Sequence, residues 1–373
     1  MEKRNLIILS YDYPPSTGGI ARLCHEITLG MQPYYKSIKV ITVAVLGITT
    51  PYNSSSDIEI IRVPPKRIKA EFKTIKILQK LKNKDSYDVL CGIWHPEALL
   101  AHLAGMKNIF VIGHGTEFLS GGSKFRKYFW MPFYAKWLLN KTKKIVTNSD
   151  YTKELVEKIS SKANVIPLPL GVNHTFFSPL EKIKEPSEII KFCTVARVLE
   201  FKGHNFILKT FESLPESLRS KIEWHIAGTG PFLNDLKNLI KKSSISNQIK
   251  MYGFVEDKLL PHFYRNNDVF ILATREQESS NQVEGFGLVF LEAQSCGVPV
   301  IGTKTGGISD AIDDENGGWL FEQDNTKDLT QILTSILTSP KIIQEQATKA
   351  RERVLKKSSW EIYCNQLFKI ISR

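Results

Sequence analysis

Short apolar runs bounded by turn residues recur along the whole chain and alternate with amphipathic stretches. In the first half they are NLIILS, IKVITVAVL, IEIIRV, DVLCGIW, IFVIGHG, KKIVTNS and ANVIPLPL. A Pro-punctuated, charged stretch follows at residues 170–188, and then the rhythm restarts with IIKFCTVARV, IEWHIAGTG, IKMYGFV, DVFILAT, VPVIGT and GGWLFEQ. Strand-length apolar runs separated by helical patterns predict βαβ units and a parallel sheet. The restart predicts an α/β protein of two doubly wound, Rossmann-like domains facing a cleft, with residues 170–188 as the linker. Ligands of open α/β sheets bind beyond the carboxyl ends of the strands, so that edge of each sheet is where chemistry is expected.

A length of 373 residues suits two domains, and 42% apolar with 24% charged residues is ordinary for a globular chain. The net charge of +12 is not ordinary, and it implies an anionic partner: a nucleotide, a nucleic acid or a lipid headgroup. Cys24, Cys91, Cys193, Cys296 and Cys364 are odd in number and lack CxxC spacing, which fits small core residues in a reducing compartment. The apolar run in MEKRNLIILSYDYPP is too short for a signal peptide, and no stretch approaches the ~20 residues needed to span a bilayer. The expectation is a cytoplasmic protein able to rest on the inner face of the cell membrane.

The segment VEGFGLVFLEAQSCGVPV carries two glutamates, Glu284 and Glu292, separated by seven residues. A helix is predicted from about Leu288 to Gly297. Its first amides, with those of Phe286 and Gly287, would face a phosphate from a helix N-terminus, while Gly287 lets the backbone approach it. Two carboxylates around an anion site make sense if each accepts hydroxyls on either side of a diphosphate, as a sugar nucleotide provides. This segment, EGFGLVFLE followed by AQSCGVPVIGT, resembles the retaining family 4 glycosyltransferases of GT-B fold, and the resemblance extends along nearly the whole chain. It implies that Glu284 contacts the donor sugar, that Glu292 contacts the ribose, and that Phe286, Gly287, Leu288 and Val289 bind the donor phosphates.

The remaining candidates follow from the same resemblance. TVARVLEFKGHN places Arg197 and Lys202 after a strand, where a guanidinium fork and an ammonium grip a diphosphate. YPPSTGGIAR puts Gly18 and Gly19 after the first strand, similar to the family's glycine loop over the donor phosphates. HGTE puts His114 where the family carries a histidine against the donor sugar, with Glu117 nearby. AGTGP lacks the third glycine of a nicotinamide fingerprint; by resemblance Gly228 touches the nucleotide, and Val255 in MYGFV borders the base. Leu170 and Asn173 stand where the family has Asn and Asp, so contacts made by those side chains do not carry over. There is no DxD, HExxH or GxSxG motif, so neither a metal nor a cofactor is expected, the nucleotide sugar being substrate.

Two basic stretches in the first half, residues 66–84 and 123–144, mix lysines with Ile68, Phe72, Ile75 and Leu78 or Leu81 at helical spacing in one, and with Trp130, Trp137 and other aromatics in the other. They read either as helices packed on the sheet or as an anionic-membrane surface. No nucleic-acid motif accompanies them, so no nucleic-acid partner is expected. The domains are expected at residues 1–172, joined by 358–373, for the acceptor, and at 186–357 for the donor. The function expected is retaining transfer of a sugar from a UDP- or GDP-sugar to a hydroxyl acceptor, a lipid-linked saccharide of bacterial surface polysaccharide or glycolipid synthesis. The alternatives are a silent nucleotide-sugar or membrane-binding protein, or a GT-B phosphorylase or epimerase.

Overall fold

The computed structural model describes residues 3–16, 18–45, 58–180, 187–276 and 282–373. All thirteen apolar runs are strands; the central ones are buried because helices cover the sheet, while three at the sheet ends, Ile58–Val63, Val165–Pro167 and Ile249–Gly253, are half-buried. Unit 1 comprises residues 1–169 and 360–373, and unit 2 residues 170–359. In unit 1 the strands are β1 (Asn5–Leu9), β2 (Ser37–Val43), β3 (Ile58–Val63), β4 (Tyr87–Cys91), β5 (Ile109–Gly113), β6 (Lys144–Thr147) and β7 (Val165–Pro167), in spatial order 3-2-1-4-5-6-7. Unit 2 has β8 (Ile190–Val195), β9 (Ile222–Ala227), β10 (Ile249–Gly253), β11 (Val269–Leu272), β12 (Val300–Thr303) and β13 (Gly318–Phe321), in order 10-9-8-11-12-13.

Every pairing in both sheets is parallel, with Ile8 of β1 level with Val40 and Leu90 on either side. In each unit the order reverses beside the first strand, β1 or β8. That reversal opens the crevice of a doubly wound sheet at the strands' carboxyl ends. The unit 2 core is aromatic, with Phe192, Phe211, Trp224 and Phe321 fully buried.

The charged stretch expected as a linker behaves differently. Residues 170–180 lie in unit 2, burying Leu170, Val172 and Phe177. Val172 bridges to Ser359, and Arg351 Nη1 donates to the carbonyls of His174, Phe177 and Ser295 at 3.0, 3.1 and 2.7 Å. One guanidinium satisfying three carbonyls fixes this strap, which prolines alone would not reveal. Residues 181–186, in the rest of that stretch, lie outside the described residues, as do 277–281 of the polar loop after β11. The C-terminal helix Trp360–Ser372 packs in unit 1 against the helix Gly19–Gly30: a Cβ on Gly30 would sit 2.4 Å from Cys364 Sγ. Tyr34 stacks on Phe368 at 4.6 Å, and Lys144 Nζ donates to the Ile370 carbonyl at 2.6 Å. All five cysteines are buried.

Candidate functional site

On unit 2 the loops after β8, β9, β11 and β12 gather at the carboxyl edge of the sheet, and the glycines explain how closely. Gly203 (φ +75°) passes so near Ala273 that a Cβ would meet its carbonyl oxygen at 1.9 Å. Gly228 (φ +144°) stands in the same relation to the Ala196 carbonyl, also at 1.9 Å. Phe201, buried, anchors the short turn Glu200–Lys202 and accepts the Arg275 amide at 2.7 Å. Lys202 therefore leaves a rigid turn, and its ammonium makes an ion pair with the Glu284 carboxylate. The two side chains are only 14% and 19% exposed. Arg197, in the loop that carries Lys202, is exposed.

Glu284 is placed by its own backbone. Its carbonyl accepts the Gly307 amide at 2.9 Å, and a Cβ on Gly306 would lie 2.3 Å from that oxygen. Glycine at 306 is needed for this approach. Gly287, in the left-handed region at φ +88°, then turns the chain into the helix Leu288–Ser295; a Cβ there would strike the Phe290 ring at 2.6 Å. Phe286 is buried beneath the turn, and the first amides of the helix, at Leu288 and Val289, have no acceptor within it. Glu292 lies one turn deeper, 3% exposed, and accepts the Tyr264 hydroxyl at 2.9 Å. Burial, with the carboxylate as a second cause, pushes the Tyr264 phenol well above its ordinary range, so Tyr264 remains the donor of that bond.

Val255, half-buried, and Phe254, exposed, follow β10 at the same edge, so strand packing does not account for Phe254. Asn173, in place of the family's Asp, closes its own turn by accepting the Phe176 amide at 3.1 Å.

Unit 1 has its own cluster at the corresponding edge. His114 Nε2 lies 2.6 Å from the Gly92 carbonyl; a carbonyl only accepts, so Nε2 is the donor of that bond. Glu117 accepts the His114 amide at 2.6 Å, which gives it a positioning role for the loop. Gly18 (φ +149°) caps the helix Gly19–Gly30, and a Cβ on Gly19 would meet nothing within 4 Å. No packing demand explains glycine at 19; open space over a helix start does suit a ligand. Glu26, one turn after Arg22, has its carboxyl raised by burial, and the charge of Arg22 opposes that rise.

Two residues here escaped the sequence. Asp12 is half-buried, and desolvation raises its carboxyl while His114 opposes. Glu97, fully buried, accepts the Tyr11 amide at 2.9 Å with one oxygen and the Ile93 amide at 2.8 Å with the other. It thereby ties the loop after β1 to the loop after β4, whose Gly92 carbonyl holds His114. Burial pushes its carboxyl up to about 8 against the pull of those amides. A lone glutamate in WHPEALL has no partner spacing to mark it; its apolar neighbours were the available signal.

The arrangement on unit 2 pairs cations and helix amides, which suit a diphosphate, with acceptor carboxylates, which suit hydroxyls. Among known proteins, residues 179–353 match the family described as "Glycosyl transferases group 1" and residues 31–149 that described as "Glycosyl transferase 4-like". The chain is 24% identical, over 99% of its length and 98% of the other's, to a GDP-mannose-dependent monoacylated alpha-(1-6)-phosphatidylinositol monomannoside mannosyltransferase of Corynebacterium glutamicum. Its fold matches sucrose-phosphate synthase of Thermosynechococcus elongatus with a TM-score of 0.79 (17% identity, 99% of this chain and 98% of that one). It also matches Anabaena Alr3699/HepE, solved with UDP and glucose, with a TM-score of 0.74 (16% identity, 99% of each chain).

Proposed function

Because the chain belongs to the group 1 glycosyltransferases and has their GT-B architecture, we propose that it moves a sugar, with retention, from a UDP- or GDP-sugar to a hydroxyl of a lipid-linked acceptor. The observation that carries this reading is the Lys202–Glu284 pair beside a glycine turn that opens a helix at the carboxyl edge of the sheet. Before donor binds, the two charges neutralise each other. A diphosphate exchanges Glu284 for phosphate at Lys202 and leaves the carboxylate to accept a sugar hydroxyl. Lys202, Arg197 and the amides of residues 286–289 hold the diphosphate, Gly228 and Val255 border the nucleoside, and Glu292 accepts the ribose hydroxyls. By the family resemblance, Gly18 and Gly19 of unit 1 are assigned to phosphate and His114 to the transferred sugar.

In the reaction, the bond from the anomeric carbon to the phosphate breaks with its electron pair going to the phosphate oxygen. The acceptor oxygen bonds to the same face of that carbon, and its proton passes to the departing phosphate. Charge growing on that phosphate is met by preorganised cations and amides, which makes a protein nucleophile or a metal unnecessary. The HepE complex supports a uridine donor, and the corynebacterial relative supports a guanosine donor with a phosphoinositide-type acceptor.

Turnover of labelled UDP- and GDP-sugars with a lipid extract, read by product configuration, tests this. Wild type is expected to give a product with the donor's anomeric configuration, with and without EDTA. Lys202→Ala and Glu284→Gln are each expected to be slower by roughly 10² to 10³. Full turnover in Lys202→Ala, or an inverted product, contradicts the assignment.

A further inference from the structure

The charge of the molecule is divided sharply. Residues 1–169 and 360–373 carry 27 Lys and Arg against 14 Asp and Glu, whereas residues 170–359 carry 23 against 24. The excess of basic residues therefore belongs to unit 1. Within unit 1, two elements show where it could act.

Residues Arg126–Ala135 wind as a π-helix that runs on into Lys136–Leu139. Met131, Ala135, Leu138 and Leu139 pack on the core. The outer side carries an aromatic at every fourth position: Phe125, Phe129, Phe133 and Trp137 are 63, 61, 68 and 41% exposed. Phe125 stacks on Phe129 with 6.2 Å between ring centres, and exposed Lys124, Lys127 and Lys136 flank the stripe.

The helix Arg67–Gln79 makes the same choice. Its packing stripe is Ala70, Thr74 and Leu78, with Ile75 and Leu81 packed beside it; of the apolar residues that helical spacing suggested, Ile68 and Phe72 stay outside, 69% and 65% exposed. Around them lie exposed Lys66, Lys69, Lys73 and Lys76. The two elements are neighbours. His95 bonds the Tyr134 hydroxyl at 2.7 Å, and the charges of Arg67 and Glu71 on one element and Arg126 on the other all act on it.

Six large apolar side chains in water on adjacent elements are more than a lone monomer surface usually carries. The cores of protein interfaces are depleted in lysine, whereas lysines around aromatics are what a headgroup layer takes. Residues 66–80 and 124–137 together hold ten Lys and Arg and one acid, Glu71, itself paired with Arg67 at 2.8 Å.

We propose that this face of unit 1 seats on an anionic bilayer, with Phe125, Phe129, Phe133, Trp137, Ile68 and Phe72 at headgroup depth and the lysines on lipid phosphates. The inference deepens the membrane side of the proposed function, and its test uses no sugar, so either can fail alone.

The intact chain is sedimented with vesicles of phosphatidylcholine alone and of phosphatidylcholine with one-third phosphatidylglycerol. Two double variants, Phe129→Ser/Phe133→Ser and Lys69→Glu/Lys73→Glu, change exposed positions and are checked for unaltered thermal unfolding. Wild type is expected to sediment with the anionic vesicles only. At about fivefold per basic contact, the charge reversal is expected to weaken binding at least thirtyfold, and the aromatic variant at least tenfold. Nucleotide affinity is expected to be unchanged in both. Wild type left in the supernatant, equal binding to neutral vesicles, or unaltered binding by both variants overturns the proposal. So does a dimer that the aromatic variant dissolves, which would make a second copy the occupant, or displacement from the vesicles by a single-stranded oligonucleotide.

Discussion

Glu97 and Glu284 are carboxylates at the strand ends of their own units, and their surroundings give them opposite duties. Glu284 sits beside an ammonium at a partly open rim, whereas Glu97 is sealed among apolar side chains and accepts two main-chain amides. An acid whose folded pKa, about 8, lies above its unfolded 4.5 holds its proton longer in the folded chain. Its contribution is therefore fully present below pH 4.5 and is lost as pH rises to about 8. Glu97→Gln turns an amide NH2 toward a backbone donor and is expected to cost about 1–3 kcal/mol near pH 6. Between pH 6.5 and 8 the gap between wild type and variant should narrow by roughly 2 kcal/mol. Thermal unfolding of both proteins across that window measures it, and a constant gap would contradict the account of Glu97. At this scale the sequence exposed residues that sit in a recognisable spacing, as Glu284, Glu292, Arg197 and Lys202 do. Glu97 and Asp12 have no such spacing, because their partners are backbone amides and a histidine about a hundred residues away.

At the level of elements, the strands were legible because helices bury both sheet faces, which leaves near-continuous apolar runs in the sequence. Helical stripes were less so. For the helix Arg67–Gln79 the spacing of apolar residues pointed to Ile68, Phe72, Ile75 and Leu78; the last two reach the core, but its first turns pack through the small residues Ala70 and Thr74 and leave Ile68 and Phe72 outside. Nor did periodicity announce the π-winding of Arg126–Ala135, which holds Pro132 within it. Residues 170–180 were read as linker from their prolines, while the feature that fixes them, Arg351, lies far along the chain. The glycine turns were legible as loops; their necessity was not, because it depends on which carbonyl passes overhead. Gly228→Ala places a methyl 1.9 Å from the Ala196 oxygen at a positive φ, and a loss of roughly 2–4 kcal/mol is expected. Gly19→Ala, which meets open space, should leave stability within about 0.5 kcal/mol. Denaturant unfolding of the two variants decides between packing and ligand approach as the reason for each glycine.

Over the whole molecule, two units of the same doubly wound design differ in charge, and the difference follows the division of labour proposed for them. Unit 2, near neutral because its cations and acids balance, sets Arg197 and Lys202 where a diphosphate would lie; unit 1 carries its excess of basic residues partly on an aromatic face. Among the described residues no helix is long and apolar enough to cross a membrane. The central claim is that the rim holding Lys202, Glu284 and the start of the helix Leu288–Ser295 binds a nucleoside diphosphate. Calorimetric titration of UDP and GDP into the intact chain and into its Lys202→Ala form tests it most directly. One of the two nucleotides is expected to bind wild type and to bind the variant about ten- to a hundredfold more weakly, the worth of one charge-assisted contact. Equal affinity in the two proteins, or no binding of either nucleotide, would contradict it.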